Sequence, residues 1–386
     1  MKYRLVTPGP SMVPAETLLS LAKPVIHHRT AENKAVMAEA LSLLKQVFCT
    51  KNDIAIFTSS GTGAMETAVA TFIRPGDKAI VISAGKWGER WVELCKTFGA
   101  NLIELKAEYG EVVTPEQVAA ALKQHPDTVA VYTQLSETST GVGHDIAAIG
   151  EVVKKTPALL AVDGISGVGA MECRTDAWSI DLLAVGSQKA LMMPPGLAFL
   201  SVSEKAKKVM ESKPAPPMYY FDLKKYLAKA AENDTPYTPA HTLIAAQVES
   251  LRMMINQGME SVWHQARQMS KAMLAAVEAL GLEPFAKRPC EGLTTIIVPP
   301  GVDGNAWPKL LEQKYGVKVA GGQGSMKGKI IRVAHMGYVD PLDVIGIIAA
   351  MEWSLAELGH SVESGAGVAA ATRVFAEDYV KTPATV

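Results

Sequence analysis

The segment DLLAVGSQKALMMPPGLAFL, residues 181–200, carries both a buried strand and a candidate reactive lysine. An apolar run, Leu182 to Val185, ends at Gly186, and the single Lys189 stands just before a second apolar run that begins at Ala190. Burial between apolar segments disfavours the ammonium form, so the pKa of this lysine should fall. A lysine that is partly neutral near pH 7 can add to an aldehyde as a nucleophile. The alternative is a lysine at a loop tip that reaches water along its stem.

A second informative segment is IAIFTSSGTGAMETAVATFI, residues 54–73. The pattern predicts a short buried strand over Ile54–Phe57, a turn of small residues over Ser59–Gly63 and a helix from Ala64. A glycine turn before a helix presents free backbone N–H groups to an anion such as phosphate. The turn matches neither a P-loop nor a dinucleotide fingerprint, because Glu66 replaces a third glycine and no Gly-Lys-Ser/Thr follows. A tight connection without a ligand stays open as the alternative.

Short apolar strands alternate with helices through the first 200 residues, which predicts an α/β fold with a mostly parallel central sheet and helices on both faces. The remaining strands are predicted at 78–83, 101–105, 129–133, 159–162, 182–185 and 198–202, and the helices between them at 88–98, 115–124 and 147–155. Ligands of such sheets lie at the carboxyl ends of the strands. Ser59–Gly63, Asp163 and Lys189 all follow predicted strand ends, so they should meet at one edge.

The rest of the chain divides into an N-terminal arm (1–20), a large domain (21–265), a smaller α/β domain (266–358) and a tail (359–386). The arm is rich in proline, and residues 214–237 indicate a surface excursion. One long helix is predicted over 240–280. In the smaller domain, strands are predicted at 293–298, 317–320 and 330–334 and helices at 305–315 and 341–358. The tail has little periodicity and is expected to be partly disordered or to pack on a partner subunit.

The composition excludes several classes of function. A net charge of −1 gives no electrostatic reason to expect nucleic acid or an anionic membrane as a partner. No apolar run is long enough to span a membrane, and the N-terminus lacks the apolar region of a secretory signal. The four cysteines show no metal spacing, and the adjacent His27 and His28 do not form a metal site, so no metal is expected. We expect a cytoplasmic protein.

Two more residues complete a candidate cofactor site. Asp163 precedes Lys189 by 26 positions, and a carboxylate at that depth could hold the proton of a pyridinium nitrogen. Its alternative role is that of a turn former in Asp163-Gly164. Trp87 could stack on an aromatic cofactor, although a tryptophan is often only part of a core.

These motifs resemble a known family. SGTGAMET, SAGKWGER, ETSTG, LLAVDGISGVG and GSQKALMMPPGLAFLSVSEKA are similar to class V, fold-type-I enzymes that use pyridoxal 5'-phosphate (PLP), in the alanine/serine–glyoxylate aminotransferase branch. The resemblance runs from about Thr7 to Leu358. It implies PLP fold type I, a homodimer with shared active sites, and small amino acid and 2-oxo acid substrates.

The resemblance also implies roles for individual residues. Lys189 would be joined to the cofactor and would move the proton, and Arg332 would clamp the substrate carboxylate, with a surface ion pair as its alternative. The implied cofactor contacts are Asp163 on the pyridine nitrogen, Trp87 on the ring, Gly61, Thr62 and Gly63 on the phosphate, Thr138 and Gln188 near the ring oxygen, Ile165 as a further contact, and Tyr237 with Thr238 on the phosphate of the neighbouring subunit. The TPGPSMVP arm resembles the segment at the mouth of the active site.

The activity implied is ping-pong, Schiff-base transamination from alanine or serine to a small 2-oxo acid such as glyoxylate. An enzyme of the same family with aspartate, phosphoserine or a phosphonate as donor would share these residues. A non-catalytic fold-type-I subunit of a redox complex is the alternative of another class, and a scaffold has no physical need for Lys189 and Asp163. A cysteine desulfurase is disfavoured, because Cys290 lies beside a predicted strand and not on a mobile loop.

Overall fold

The computed structural model describes residues 2–214 and 216–381 of the chain. The strands of this part are, in chain order, β1 (Arg4–Leu5), β2 (Asp53–Thr58), β3 (Lys78–Ser83), β4 (Asn101–Lys106), β5 (Thr128–Gln134), β6 (Ser136–Glu137), β7 (Val142–Gly143), β8 (Leu159–Asp163), β9 (Leu182–Gly186), β10 (Leu197–Val202), β11 (Leu293–Ile297), β12 (Val317–Lys318), β13 (Ala320–Gly321) and β14 (Ile330–Ala334).

The helices of the same residues are α1 (Ala15–Leu21), α2 (Ala31–Val47), α3 (Gly61–Phe72), α4 (Lys86–Thr97), α5 (Pro115–Gln124), α6 (Ile146–Val153), α7 (Glu204–Ser212), α8 (Leu223–Ala230), α9 (His241–Gln257), α10 (Met259–Ala279), α11 (Ala306–Tyr315), α12 (Pro341–Glu357) and α13 (Ala366–Lys381). None of these helices combines the length and the apolar character needed to cross a membrane.

A seven-stranded sheet forms the centre of the fold, in the order β2-β10-β9-β8-β5-β3-β4. Strand β10 runs antiparallel to its neighbours β2 and β9, and the other pairs are parallel. Every residue of β8, β9 and β10 is buried, because helices cover both faces of the sheet. The predicted α/β class with a mostly parallel central sheet is confirmed.

The strand register places three carboxyl ends at one edge of this sheet. Across β10, Leu197 pairs with Thr58, the last residue of β2, and Ala198 pairs with Gly186, the last residue of β9. Asp163 ends β8 beside them. The loops that follow these strands therefore begin side by side, as the pattern of the sequence predicts.

One of these loops is shorter than predicted. Helix α3 begins at Gly61 and not at Ala64, so Gly61, Thr62 and Gly63 form its first turn and do not precede it. Ser60 is the extended residue before the helix. The predicted turn over Ser59–Gly63 is wrong in this respect, but the free N–H groups of a first helical turn lie where the anion site was expected.

The predicted long helix over 240–280 is two helices. Helix α9 ends before Gly258, whose φ of +84° favours glycine, and α10 starts immediately afterwards. The predicted strand over 317–320 also divides, because β12 pairs with β1 whereas β13 pairs with β14. The division at residue 265 falls inside α10, and the domain boundaries stay a prediction.

The N-terminal arm connects strand β12 with the loop that carries Lys189. Strand β1 pairs in parallel with β12, and Arg4 forms an ion pair with the buried Asp343. Further along, the backbone N–H of Ser11 donates to the carbonyl of Gln188 over 3.0 Å and its hydroxyl donates to the carbonyl of Lys189 over 2.6 Å. The arm thus joins strand β12 to the loop that carries the candidate reactive lysine.

Two segments are more ordered than the sequence pattern indicates. The excursion after Pro214 contains α8, whose Tyr226 packs on Phe57 of β2 with ring centroids 4.5 Å apart. The tail forms α13, which packs on α10 and α12 of the same chain, so the expectation of partial disorder is wrong for residues 366–381. The buried carboxylate of Glu352 accepts N–H groups of Gly365 and Val368 at the start of that helix. Residues 382–386 lie outside the described residues.

Candidate active site

A cavity of about 320 Å³ opens at the carboxyl edge of the central sheet. It brings together seven of the residues predicted from the sequence: Gly61, Thr62, Trp87, Asp163, Ile165, Gln188 and Lys189. The other lining residues are Gly9, Pro10, Ser60, Arg90, Ser166 and Pro195. Residues from Gly9 to Pro195 thus share one enclosure, in the place where ligands of such sheets bind.

Lys189 is the nucleophile candidate, and it is almost completely buried in the loop after β9. Burial lowers the pKa of its amine to about 8, with the Asp163 carboxylate acting against this and the Arg332 and Arg90 cations adding to it. Its Nζ donates to the carbonyl of Pro8 and lies 5.8 Å from the centroid of the Trp87 ring. A minor neutral fraction of the amine therefore exists near pH 7, far larger than for an exposed lysine, as the flanking apolar runs predict.

Asp163 ends strand β8 and is buried on the cavity wall. Burial raises the pKa of its carboxyl group to about 6, while the backbone N–H of Ile165 and the charges of Lys189 and Arg90 lower it. One carboxylate oxygen accepts the Ile165 N–H over 2.8 Å. This geometry leaves a carboxylate that can accept a proton or a hydrogen bond from a ring nitrogen in the cavity.

Trp87 is fixed by hydrogen bonds and by a cation. It lies in the first turn of α4, and its ring N–H donates to the hydroxyl of Thr138 over 2.7 Å. The guanidinium carbon of Arg90, one turn later on the same helix, lies 4.5 Å from the ring centroid. The indole is thus held in one orientation on the cavity wall, as a stacking surface for a flat ligand requires.

The sequence interpretation missed Glu137, which organises the start of α4. Its fully buried carboxylate accepts N–H groups of Trp87 over 2.9 Å and of Gly88 over 3.0 Å, and the Ser139 hydroxyl over 2.5 Å. Burial raises the pKa of this carboxyl group to about 7, against the lowering effect of those hydrogen bonds. Glu137 begins the ETSTG motif. A charged residue at the start of a run of small residues was the signal in the sequence that could have identified it.

Arg332, on β14, is not among the residues that line this cavity. Its Nε donates to the carbonyl of Gly321 over 2.9 Å and its Nη1 to the carbonyl of Thr138 over 3.0 Å. Burial lowers the pKa of the guanidinium to about 10, and the nearby Glu137 raises it. These two bonds orient the guanidinium and leave further N–H groups for a carboxylate.

Four more predicted residues do not line the cavity. A side chain added at Gly63 would meet Ser59 and Phe221 and not the cavity. Thr138 is connected to the site only by the hydrogen bond that its hydroxyl accepts from the Trp87 ring. Tyr237 and Thr238 also lie elsewhere: the Tyr237 hydroxyl donates to the carbonyl of Tyr219, and its ring stacks on Tyr220 with centroids 5.3 Å apart. A role of these last two residues at a neighbouring subunit stays a prediction.

Two further wall segments come from the arm and from α4. A side chain at Gly9, where φ is +116°, would overlap the Lys189 side chain, so only glycine allows the arm to cover that amine. Arg90 follows Trp87 by three positions, and residues at this spacing share a helix face. That spacing was the signal by which Arg90 could have been found.

Comparisons with known proteins agree with this geometry. The family model described as Aminotransferase class-V matches residues 15–339. A protein of Anabaena cylindrica named soluble hydrogenase 42 kDa subunit is 41% identical over 97% of this chain and 99% of its own length. An L-aspartate–glyoxylate aminotransferase of Paracoccus denitrificans is 34% identical over 94% of both chains. A serine–glyoxylate aminotransferase of Methylorubrum extorquens is 31% identical over 98% of this chain and 97% of its own length.

Solved structures match over nearly the whole chain as well. A pyridoxamine–pyruvate aminotransferase from Mesorhizobium loti superposes with a TM-score of 0.93 at 28% identity, covering 97% of each chain. The architecture described above is thus that of fold-type-I aminotransferases, and the predicted fold type is confirmed.

Proposed function

Since the chain belongs to the class V aminotransferase family, whose members transfer amino groups with PLP, we propose that its donor is alanine or serine and its acceptor a small 2-oxo acid such as glyoxylate. The observation that carries this proposal is the burial of Lys189 and Asp163 in one cavity whose remaining walls hold small or uncharged groups beside Trp87 and Arg90. The two alternating substrates would follow ping-pong kinetics.

The residues present fit the cofactor. Gln188 lines the cavity, and its buried side-chain oxygen has no hydrogen-bond partner among the described residues. A hydrogen-bond donor on a bound ligand would satisfy this oxygen. Lys189 offers an amine, Asp163 a carboxylate, and the first turn of α3 its N–H groups. When bound, PLP supplies an aldehyde carbon and a ring that withdraws electrons.

Different residues of the chain would carry out the separate tasks of the reaction. Lys189 accepts and returns a proton at its Nζ, which its lowered pKa permits near neutral pH. Asp163, whose carboxylate is oriented by the Ile165 N–H, would hold a proton at a ring nitrogen of the cofactor, and Trp87 would offer its ring as a stacking surface. Arg332 orients the carboxylate that amino acid and 2-oxo acid have in common. Pro8 and Gly9 cover the amine and limit the access of water.

The size and charge of the cavity support a small neutral donor. Its volume of about 320 Å³ is near the lower end for ligand sites, so little room remains beside a cofactor. Gly9, Pro10, Ser60 and Pro195 carry no charge that would pair with a second substrate carboxylate. Aspartate is the competing donor, and one relative's name supports it.

A subunit of a redox complex remains the alternative of another class, because a relative is named as a hydrogenase subunit. A scaffold would gain nothing from burying an amine and a carboxylate together, since burial of charged groups costs free energy. The cost of burying both groups is explained if they act on a ligand.

We further propose a homodimer in which Tyr237 and Thr238 contact the phosphate in the neighbouring subunit, as the resemblance implies. We also propose a cytoplasmic location. The four cysteines Cys49, Cys95, Cys173 and Cys290 are all unpaired, which suits a reducing compartment.

The test is a matrix of donors and acceptors on the PLP-loaded protein: alanine, serine and aspartate against glyoxylate and pyruvate, with product formation as the readout. Serine or alanine with glyoxylate should give the highest kcat/KM, and Lys189→Ala should abolish transfer. Preference for aspartate would refute the proposed donor. Absence of transfer with every pair, despite a cofactor band that amino acids do not change, would favour the redox-complex subunit.

A further inference from the structure

We propose that Arg90 supplies the positive charge for the phosphate group of the cofactor, acting together with the hydroxyl of Thr62. The inference concerns the cofactor and not the identity of the donor. It adds a charged residue to a phosphate end that the resemblance assigns to Gly61, Thr62 and Gly63, together with Tyr237 and Thr238 from a neighbouring subunit.

The position of Arg90 is the first step. Its side chain lines the cavity together with Ser60, Gly61 and Thr62, and its Nη1 donates to the Thr62 hydroxyl over 3.0 Å. Thr62 lies in the first turn of α3. Three elements, the guanidinium, the hydroxyl and the helix start, therefore converge on one end of the cavity.

The charge of this end is the second step. No carboxylate oxygen of the described residues lies within 4.0 Å of the Arg90 guanidinium, although Arg90 is partly buried. A guanidinium stays charged at any physiological pH and desolvation costs it free energy, so a partly buried one is expected to have an anionic partner. Among the lining residues, Lys189 and Arg90 face the single carboxylate of Asp163, which leaves an excess of positive charge that a phosphate dianion would offset.

The third step is the direction of the Thr62 hydrogen bond. Because the Thr62 oxygen accepts from Arg90, its hydroxyl proton is free to donate into the cavity. Arg90 has further N–H groups in the same plane, and charge-assisted bonds from arginine to phosphate are short and strong. The pair can thus act on one phosphate as two adjacent donors.

A different role is possible for the same residue. The guanidinium carbon lies 4.5 Å from the Trp87 ring centroid, so Arg90 could serve only to hold the indole in place by a cation–π contact. The two roles differ in their dependence on the phosphate. A ring support affects every ligand that stacks on Trp87, whereas a phosphate ligand affects only phosphorylated ones.

The experiment compares PLP with pyridoxal, which lacks the phosphate. The apo forms of the wild type, Arg90→Gln and Arg90→Lys are titrated with both aldehydes and followed by the quenching of tryptophan fluorescence. Lys96→Gln, an exposed change on the same helix, is the matched control. The covalent bond to Lys189 forms with both aldehydes, so the ratio of their affinities isolates the phosphate.

Arg90→Gln should weaken PLP binding roughly 10- to 100-fold and change pyridoxal binding less than about twofold. Arg90→Lys should retain part of the preference for PLP, because it keeps the charge. Inorganic phosphate should compete with PLP for the wild type and much less for Arg90→Gln. Equal weakening of PLP and pyridoxal, or no change for either, would overturn the proposal. Neither result depends on which amino acid is the donor, so the proposed function is tested separately.

Discussion

The buried carboxylate of Glu137 accepts the backbone N–H of Trp87 over 2.9 Å, so the residue that begins ETSTG sets the position of the tryptophan in SAGKWGER. The same carboxylate accepts the next N–H of α4, from Gly88. A carboxylate at a helix N-terminus is favoured both by these orphan donors and by the helix dipole. The stacking surface of the site therefore depends on a charged group that does not itself line the cavity.

Glu137→Gln should destabilise the protein and weaken PLP binding. The amide offers one acceptor oxygen in place of two, and its NH₂ group would face N–H donors that it cannot satisfy. We expect a loss of roughly 1–3 kcal/mol in the free energy of unfolding, measured by urea denaturation. Glu93→Gln, an exposed change on α4, is the control. Equal stability of the two variants would show that the Glu137 carboxylate does not hold Trp87.

Gly9→Ala should impair cofactor loading. The new methyl group would overlap the Lys189 side chain, which lies under the arm, and the φ of +116° adds backbone strain. The expected result is a PLP affinity lowered roughly 10-fold or more, measured by fluorescence titration of the apoprotein. Gly76→Ala is a matched control, because Gly76 has a φ of +89° and no neighbouring atom within 4 Å of the added carbon. If both variants lose the same affinity, strain and not the contact with Lys189 is responsible.

The lowered pKa of Lys189 predicts a stability difference that depends on pH. The pKa is about 8 in the folded apoprotein and near 10.5 when unfolded, so between these values the unfolded state binds more protons. The wild type therefore gains stability as pH rises from 8 to 10.5. Below pH 8 it carries the full cost of the buried ammonium.

Lys189→Met removes this cost, and its advantage over the wild type should shrink by at most about 3 kcal/mol across that range. Urea denaturation of the two apoproteins at pH 7.5, 9 and 10 measures the difference. Lys123→Met, on the exposed face of α5, is the matched control at an exposed lysine. A constant difference for Lys189→Met would contradict the lowered pKa.

Arg332→Gln should weaken both substrates and spare the cofactor. Loss of a bidentate partner for the substrate carboxylate is expected to lower kcat/KM roughly 100-fold for the donor and for the 2-oxo acid. PLP affinity should change only a few-fold, because none of the cofactor contacts proposed above involves Arg332. Arg332→Lys should recover part of the loss, and Arg373→Gln, on the exposed side of α13, should have no effect. An unchanged KM for every donor would contradict the clamp.

Much of the central sheet could be predicted from the sequence, because its strands are short, apolar and bounded by turn residues. Helix α5 has its predicted bounds, and its Thr-Pro start is a capping box in the structure. Strands β8 and β9 each extend one residue beyond their predicted ends, to Asp163 and Gly186. Strands that are buried on both faces are continuous apolar runs, and such runs are recognisable in a single sequence.

Other elements depended on contacts that local pattern does not contain. Helix α13 has weak periodicity and is ordered by α10, α12 and the carboxylate of Glu352. The break at Gly258 could not be distinguished from a tolerated glycine inside one helix. Glu137 and Arg90 were missed because each acts through a partner far away in sequence, Trp87 and Thr62.

By itself, the order of the residues determined the class of fold, the strand ends and the three groups that should meet there, because each follows from local burial and chain punctuation. Only the tertiary structure decided which residues enclose the cavity. Gly9 and Arg90 line it, whereas Arg332 and Thr138 do not. The reason is physical: local propensity sets the direction of a strand or helix, but the distance between two side chains depends on how those elements pack.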